Sequence, residues 1–131
     1  MQTRINNTFV RKLFYSYLCI ILILMFIPTG KHIDLNHSVY GFRADHILHS
    51  TIFVPYLLLI GLLNNKLPLI VLIKRKLPVA LGFGALCETF HLFLPYRSFS
   101  IFDYFANCFG ITIGLLLFIG IGKYIEVTEK N

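Results

Sequence analysis

Charged side chains are scarce in this chain of 131 residues. They make up 14% of the sequence, whereas hydrophobic residues make up 56% and the mean hydropathy is +0.73. A typical soluble domain is about 25% charged. The composition therefore excludes an ordinary soluble domain and indicates a membrane protein. The length leaves room for one domain over residues 1–131.

Signature motifs of several enzyme classes are absent as well. There is no P-loop, no HExxH pair and no serine in a nucleophile elbow, so the usual signs of P-loop, zincin and α/β-hydrolase chemistry are missing. Cys19, Cys87 and Cys108 are isolated in apolar segments and show no CxxC spacing. They are expected to pack as small apolar residues rather than to hold zinc or to carry out redox chemistry.

Acidic residues are half as numerous as basic ones, 6 against 12, which leaves a formal net charge of +6. A nucleic-acid-binding protein would gather such charge into an exposed stripe with interleaved aromatic residues. Here the basic residues lie at the ends of apolar runs, as in Arg11, Lys12 and residues 74–76. Membrane topology explains this charge better, and no nucleic-acid partner is expected.

Apolar segments of near-spanning length recur along the chain and predict an all-α, four-helix transmembrane bundle. The predicted spans cover about residues 13–28, 44–63, 77–94 and 101–121. No small-x-small pattern follows the first span, so it is expected to be retained rather than cleaved as a signal peptide. The apolar run LPLIVLI, residues 67–73, is too short to cross and is expected to lie along the interface.

The distribution of Lys and Arg predicts the orientation of these spans. The N-terminal segment carries three and the 64–76 loop four, against two in the 29–43 loop, one in the 95–100 connector and two in the tail. Positively charged loops tend to remain in the cytoplasm. Both termini are therefore expected inside, and the 29–43 loop and the 95–100 connector outside.

This orientation brings polar residues of three spans to one depth. The second and fourth spans begin at the outer face and the third ends there, so their polar turns are expected to meet in a pocket open to the outside. The candidate pocket residues are Asp45, His49, Glu88, His91, Arg97, Asp103 and Asn107. On the fourth span, Asp103, Asn107, Gly110 and Gly114 fall within about 60° of one another, so the glycines extend the polar stripe as a close-packing seam.

Several roles remain open for these residues. Asp103 follows Ser100 with capping-box spacing, and Arg97 is expected either to bind a ligand or to neutralise Glu88 or Asp103. No cofactor or metal is expected, because the Glu88-x-x-His91 spacing supplies only half of a di-iron motif. The residues available to a metal would be His46, His49, Glu88 and His91, whereas His32, Asp34 and His37 are expected to lie in a solvated loop.

The combined pattern resembles the VanZ-like family of small bacterial membrane proteins. That family carries Asp-Lys-x-x-His on one helix, then Glu-x-x-Gln, Pro-x-Arg and, on its last helix, Asp-x-x-x-Asn-x-x-Gly-x-x-x-Gly. The matching residues are Asp45, His49, Glu88, Pro95, Arg97, Asp103, Asn107, Gly110 and Gly114. The resemblance covers about residues 44–114, and two positions depart from it: His46 replaces the lysine and His91 the glutamine, so both become titratable near neutral pH.

The resemblance implies a multi-pass protein of the bacterial cytoplasmic membrane. The family's namesake is associated with low-level resistance to the glycopeptide teicoplanin, without a settled biochemical activity. The first hypothesis is therefore a pocket that binds an envelope lipid, a precursor headgroup or a glycopeptide, with an effect on antibiotic susceptibility. The alternatives are an intramembrane enzyme acting on a lipid-linked envelope substrate, and a purely structural polar network.

Overall fold

Four α-helices account for almost all of the described chain. The structure is a computed structural model that describes residues 7–26, 38–39, 42–64 and 67–129. The helices are α1 (Asn7–Phe26), α2 (Ala44–Leu63), α3 (Leu69–His91) and α4 (Ile101–Glu129). Two short strands, β1 (Ser38–Val39) and β2 (Phe42–Arg43), form an antiparallel pair just before α2. The predicted all-α bundle is confirmed.

Three of the helices are long and apolar enough to cross a membrane. The qualifying segments are Asn7–Leu24 of α1, Ala44–Leu63 of α2 and Ile101–Gly122 of α4. Large apolar side chains remain on the outer surface of α4, where Phe105, Phe109 and Leu116 are 61%, 63% and 62% exposed. Such a surface suits lipid tails better than water. The fold is therefore that of a membrane protein.

The third helix differs from its predicted span at both ends. It begins at Leu69, directly after Pro68, and ends at His91, whereas the sequence predicted 77–94. The prediction that LPLIVLI lies separately along the interface is wrong, because its last five residues form the first part of α3. Helical hydrogen bonding does not depend on side-chain charge, so the helix continues through Lys74, Arg75 and Lys76.

The remaining helix ends show how far hydropathy alone can fix a boundary. The bounds of α2 and the start of α4 agree with the predicted spans. By contrast, α1 already begins at Asn7 and includes Arg11 and Lys12, and α4 continues beyond residue 121 to Glu129. Polar residues at a membrane boundary can extend a helix, because its backbone groups remain paired within it.

Helix α2 lies at the centre of the bundle and packs against each of the other helices. Phe53, Tyr56 and Leu57 of α2 are buried in the same core cluster as Ile111 of α4. From α1, the Tyr17 hydroxyl donates a 2.7 Å hydrogen bond to the backbone carbonyl of Ile52. The polar residues at the start of α2 can therefore reach both α3 and α4.

The closest approach in the bundle joins α2 to α4 through two glycines. A Cβ atom at Gly110 would collide with the carbonyl oxygen of Ser50, and one at Gly114 with that of Val54. Both glycines are buried, as are Asp103 and Asn107 on the same stripe of α4. The absence of side chains at these two positions lets the helix backbones touch. This contact fixes α4 beside the polar first turns of α2.

Candidate functional site

A buried polar cluster joins α2, α3 and α4. It consists of His49, Glu88, His91 and Asn107, and both Glu88 and Asn107 are 0% exposed. Glu88 Oε1 lies 3.3 Å from His49 Nδ1, and Glu88 Oε2 lies 3.3 Å from His91 Nδ1. One carboxylate on α3 therefore faces an imidazole from each side.

Asn107 sets the orientation of the buried cluster. Its side-chain Nδ2 donates to Glu88 Oε1 at 3.3 Å, which leaves its Oδ1 facing His49 Nδ1 at 3.1 Å. The atoms that face His49 Nδ1 are thus the oxygens of an amide and a carboxylate, and both are acceptors. Nδ1 must therefore carry the proton. In the neutral ring, Nε2 is then unprotonated and carries a lone pair.

A second group of polar residues, the rim cluster, lies where α2 and α4 begin. It consists of Asp45, His46 and Asp103. His46 Nε2 is 3.3 Å from Asp103 Oδ1, and His49 Nε2 is 3.7 Å from Asp45 Oδ1. His49 therefore connects the two clusters, since its two ring nitrogens face one cluster each.

The start of α4 is fixed by a side-chain cap. The backbone N–H of Asp103 donates to Ser100 Oγ at 3.3 Å, and the N–H of Tyr104 donates to the Ser100 carbonyl. This arrangement confirms the capping role predicted for Ser100. It also places the Asp103 carboxylate in the first turn of α4, where the helix dipole favours negative charge.

Arg97 lies in the short connector between α3 and α4, at the same end of the bundle as the rim cluster. Among the described residues, no ion pair joins it to Glu88 or Asp103, so the predicted pairing with either carboxylate is wrong. The two carboxylates are instead matched by imidazoles. The Arg97 Nε atom is buried and has no hydrogen-bond partner in the part of the chain that the structure describes.

The structure thus brings together six of the seven candidate pocket residues, while Arg97 lies in the connector before α4. It adds His46, a metal candidate and the replacement for the family's lysine; its place next to Asp45 in the first turn of α2 was the signal. His32, Asp34 and His37 lie outside the described residues. A functional role for the assembled residues stays a prediction.

The chemistry available to the assembled residues includes hydrogen bonding, proton exchange and cation binding. One ligand atom from each of Asp45, His49 and Asp103 lies within 4.8 Å of the other two. The buried cluster offers two imidazoles to one carboxylate, an arrangement that can hold and move a proton. Glu88 and Asn107 are fully buried, whereas the side chains of Asp45 and His46 are 13% and 27% exposed, so the rim lies nearer to the surface.

The fold and these contacts define a helical membrane protein with an ionisable site between three helices. Comparison with protein-family models, with curated proteins and with solved structures finds no match to this chain.

Proposed function

We propose that this chain is a VanZ-like protein of the bacterial cytoplasmic membrane whose polar site faces outward and binds an anionic headgroup. The headgroup belongs to an envelope lipid or a lipid-linked precursor, and its binding alters susceptibility to glycopeptide antibiotics. Support comes from the motif set of residues 44–114 and from the Lys and Arg distribution, which favours cytoplasmic termini.

The observation that carries the proposal is the missing hydrogen-bond partner of Arg97. Its Nε atom is buried and makes no hydrogen bond to the described residues, although a buried N–H group normally finds a partner. No ion pair joins Arg97 to Asp103 among the described residues, and the Asp103 carboxylate faces His46 instead. A guanidinium binds phosphate or carboxylate through paired N–H donors. The Arg97 Nε–H, which has no hydrogen-bond partner among the described residues, is therefore a suitable donor to such a headgroup.

Headgroup binding is tested by native mass spectrometry of the protein in detergent with added phosphatidylglycerol. We expect Arg97→Ala to lose the bound lipid and Arg97→Lys to bind it more weakly, because lysine lacks the planar fork of donors. Arg75→Ala is the matched control: it removes the same charge from an exposed position near the start of α3. Equal lipid retention by Arg97→Ala and wild type would contradict the proposal.

The cellular part of the proposal is tested by expressing the same variants in a susceptible Gram-positive strain. Wild type and Arg75→Ala should raise the teicoplanin concentration needed to stop growth, whereas Arg97→Ala should not. Membrane abundance measured by immunoblot separates loss of function from loss of protein. A folded Arg97→Ala protein that protects as well as wild type would refute the link to Arg97.

An intramembrane enzyme acting on a lipid-linked envelope substrate is a second candidate, favoured by the imidazoles on either side of Glu88. In that mechanism Glu88 or Asp103 is the base, His49 or His91 the proton partner, and Arg97 the anion clamp. Full burial of Glu88 favours Asp103 for direct contact with a substrate. Substrate turnover by purified protein that disappears in Asp103→Asn would establish this candidate, and no turnover with envelope lipid extracts would reject it.

A purely structural network makes a different prediction for the same carboxylates. If the clusters only hold the helices together, Glu88→Gln and Asp103→Asn should unfold at lower temperature in proportion to any loss of function. If the clusters form part of a binding site, Asp103→Asn in the rim should be as stable as wild type while its lipid binding changes. Unfolding temperature and lipid binding measured on one preparation separate the two roles.

A further inference from the structure

Two carboxylates of the rim cluster and His49 of the buried cluster provide three potential metal ligands from two helices. One carboxylate or imidazole atom from each of Asp45, His49 and Asp103 lies within 4.8 Å of the other two. Within this set, Asp45 Oδ1 and His49 Nε2 are 3.7 Å apart. Ligands bound to zinc at about 2.0–2.1 Å in a tetrahedron are separated by about 3.3 Å. Small side-chain movements would therefore allow all three atoms to contact one ion.

The hydrogen bonds of His49 prepare its Nε2 atom for a cation. Nδ1 faces Asn107 Oδ1 at 3.1 Å and Glu88 Oε1 at 3.3 Å, so it is the protonated nitrogen. Nε2 then directs a lone pair toward a carboxylate oxygen of Asp45. In metal sites the ligating histidine commonly donates its other N–H to a carboxylate in this way, which fixes the tautomer and the ring orientation.

A buried carboxylate oxygen of Asp103 has no hydrogen-bond donor among the described residues, which is a second observation in favour of a ligand here. Its side chain is 7% exposed, and its buried Oδ1 accepts no hydrogen bond from the described residues. His46 Nε2 lies 3.3 Å from this oxygen and also makes no hydrogen bond to the described residues. A carboxylate oxygen buried in this manner normally pairs with a donor or a metal.

We propose that Asp45, His49 and Asp103 bind a divalent transition-metal ion, with Glu88 as the carboxylate that orients His49. Two carboxylate oxygens and an imidazole nitrogen form a ligand set suited to zinc and to neighbouring metals of the same series. Three protein ligands leave a further coordination position for water or another ligand. The proposal does not depend on headgroup binding, since it rests on Asp45, His49 and Asp103 rather than on Arg97.

The test is isothermal titration calorimetry, in which Zn²⁺ alone is added to the purified, chelator-treated protein. We expect one equivalent to bind, and His49→Gln and Asp103→Asn to weaken binding at least about tenfold. Glu88→Gln should weaken it by about 10–100-fold, because the orienting carboxylate is lost. The matched control is His91→Gln, which removes an imidazole that faces the same carboxylate but not the proposed ion. Its affinity for Zn²⁺ should fall less than that of Glu88→Gln, because Glu88 keeps its contact with His49.

Two further measurements keep the result interpretable. Circular dichroism of each metal-free variant identifies any that fail to fold, and the visible spectrum of Co²⁺-loaded protein reports ligation directly, with Asp45→Asn as the alternative variant. The double variant His32→Ala/His37→Ala controls for histidines outside the described residues. Undetectable binding, unchanged binding in folded His49→Gln and Asp103→Asn, or loss of binding in the loop double variant would overturn the proposal.

Discussion

A methyl group added at Gly110 should force α2 and α4 apart. The new Cβ would collide with the Ser50 carbonyl oxygen, and it would lie 2.9 Å from the Ser50 carbonyl carbon and 3.1 Å from its Cα. All three atoms belong to the backbone of another helix, so no side-chain rotation can make room. Ordinary carbon–oxygen contacts of about 3.3–3.6 Å require the helices to separate by roughly 1 Å or more.

The expected change in the free energy of unfolding follows from the packing contacts that are lost when α2 and α4 separate. A gap of about 0.5–1 Å forfeits a quarter to a half of the dispersion energy of each contact. Overpacking a well-packed interface costs about 1–3 kcal/mol, while alanine gains about 1 kcal/mol over glycine in helix propensity. We therefore expect Gly110→Ala to lower the free energy of unfolding by up to about 2 kcal/mol, net of that gain.

Gly120 provides the matched control in the same helix. Among the described residues, no heavy atom outside the surrounding turns of α4 lies within 4 Å of a Cβ built there, so Gly120→Ala should be neutral or should stabilise by up to about 1 kcal/mol. Both variants are compared by chemical unfolding in the same detergent, with far-ultraviolet circular dichroism as the signal. Equal stability of the two variants would refute the close α2–α4 contact.

Three further substitutions test other contacts. Tyr17→Phe removes the hydroxyl that ties α1 to a carbonyl of α2 and should destabilise by about 0.6–1.7 kcal/mol in thermal unfolding, with exposed Tyr15→Phe as its neutral control. Ser100→Ala removes the cap on the Asp103 N–H and should cost about 1 kcal/mol; an unchanged unfolding midpoint would contradict the cap. Glu88→Gln places an amide between two imidazoles and should lower the free energy of chemical unfolding by about 1–3 kcal/mol. A variant as stable as wild type would contradict these contacts.

Helix boundaries were predictable where the sequence carries a local signal. Ser100 caps α4, and the predicted start of the fourth span at Ile101 agrees with the first residue of α4. The start of α3 had a misleading signal: Pro78 lies in the first turn of the predicted span, where proline is tolerated, and a basic triplet precedes it. In the structure Pro68 occupies the N-cap position and Pro78 lies inside the helix. Hydropathy marks where lipid contact is favourable, which need not be where a helix begins.

The convergence of polar groups was predictable, but their pairing was not. Spacing along each helix and the alternation of helix direction brought Asp45, Glu88 and Asp103 to one end of the bundle. Which imidazole faces which carboxylate depends on helix rotation and rotamers, which periodicity cannot define. Arg97 illustrates this limit: its sequence position allowed either a ligand or an ion pair with Glu88 or Asp103, whereas among the described residues both carboxylates face imidazoles.

The most direct test of the central claim is the thermal stabilisation of the protein by a short-chain anionic lipid. A ligand at 100 times its dissociation constant stabilises the folded state by about 2.7 kcal/mol. Dioctanoyl phosphatidylglycerol should therefore raise the unfolding midpoint of wild type and of Arg75→Ala, and dioctanoyl phosphatidylcholine should not. Arg97→Ala should unfold at the same temperature with and without the anionic lipid. An equal upward shift in Arg97→Ala and wild type would contradict an anion site at Arg97.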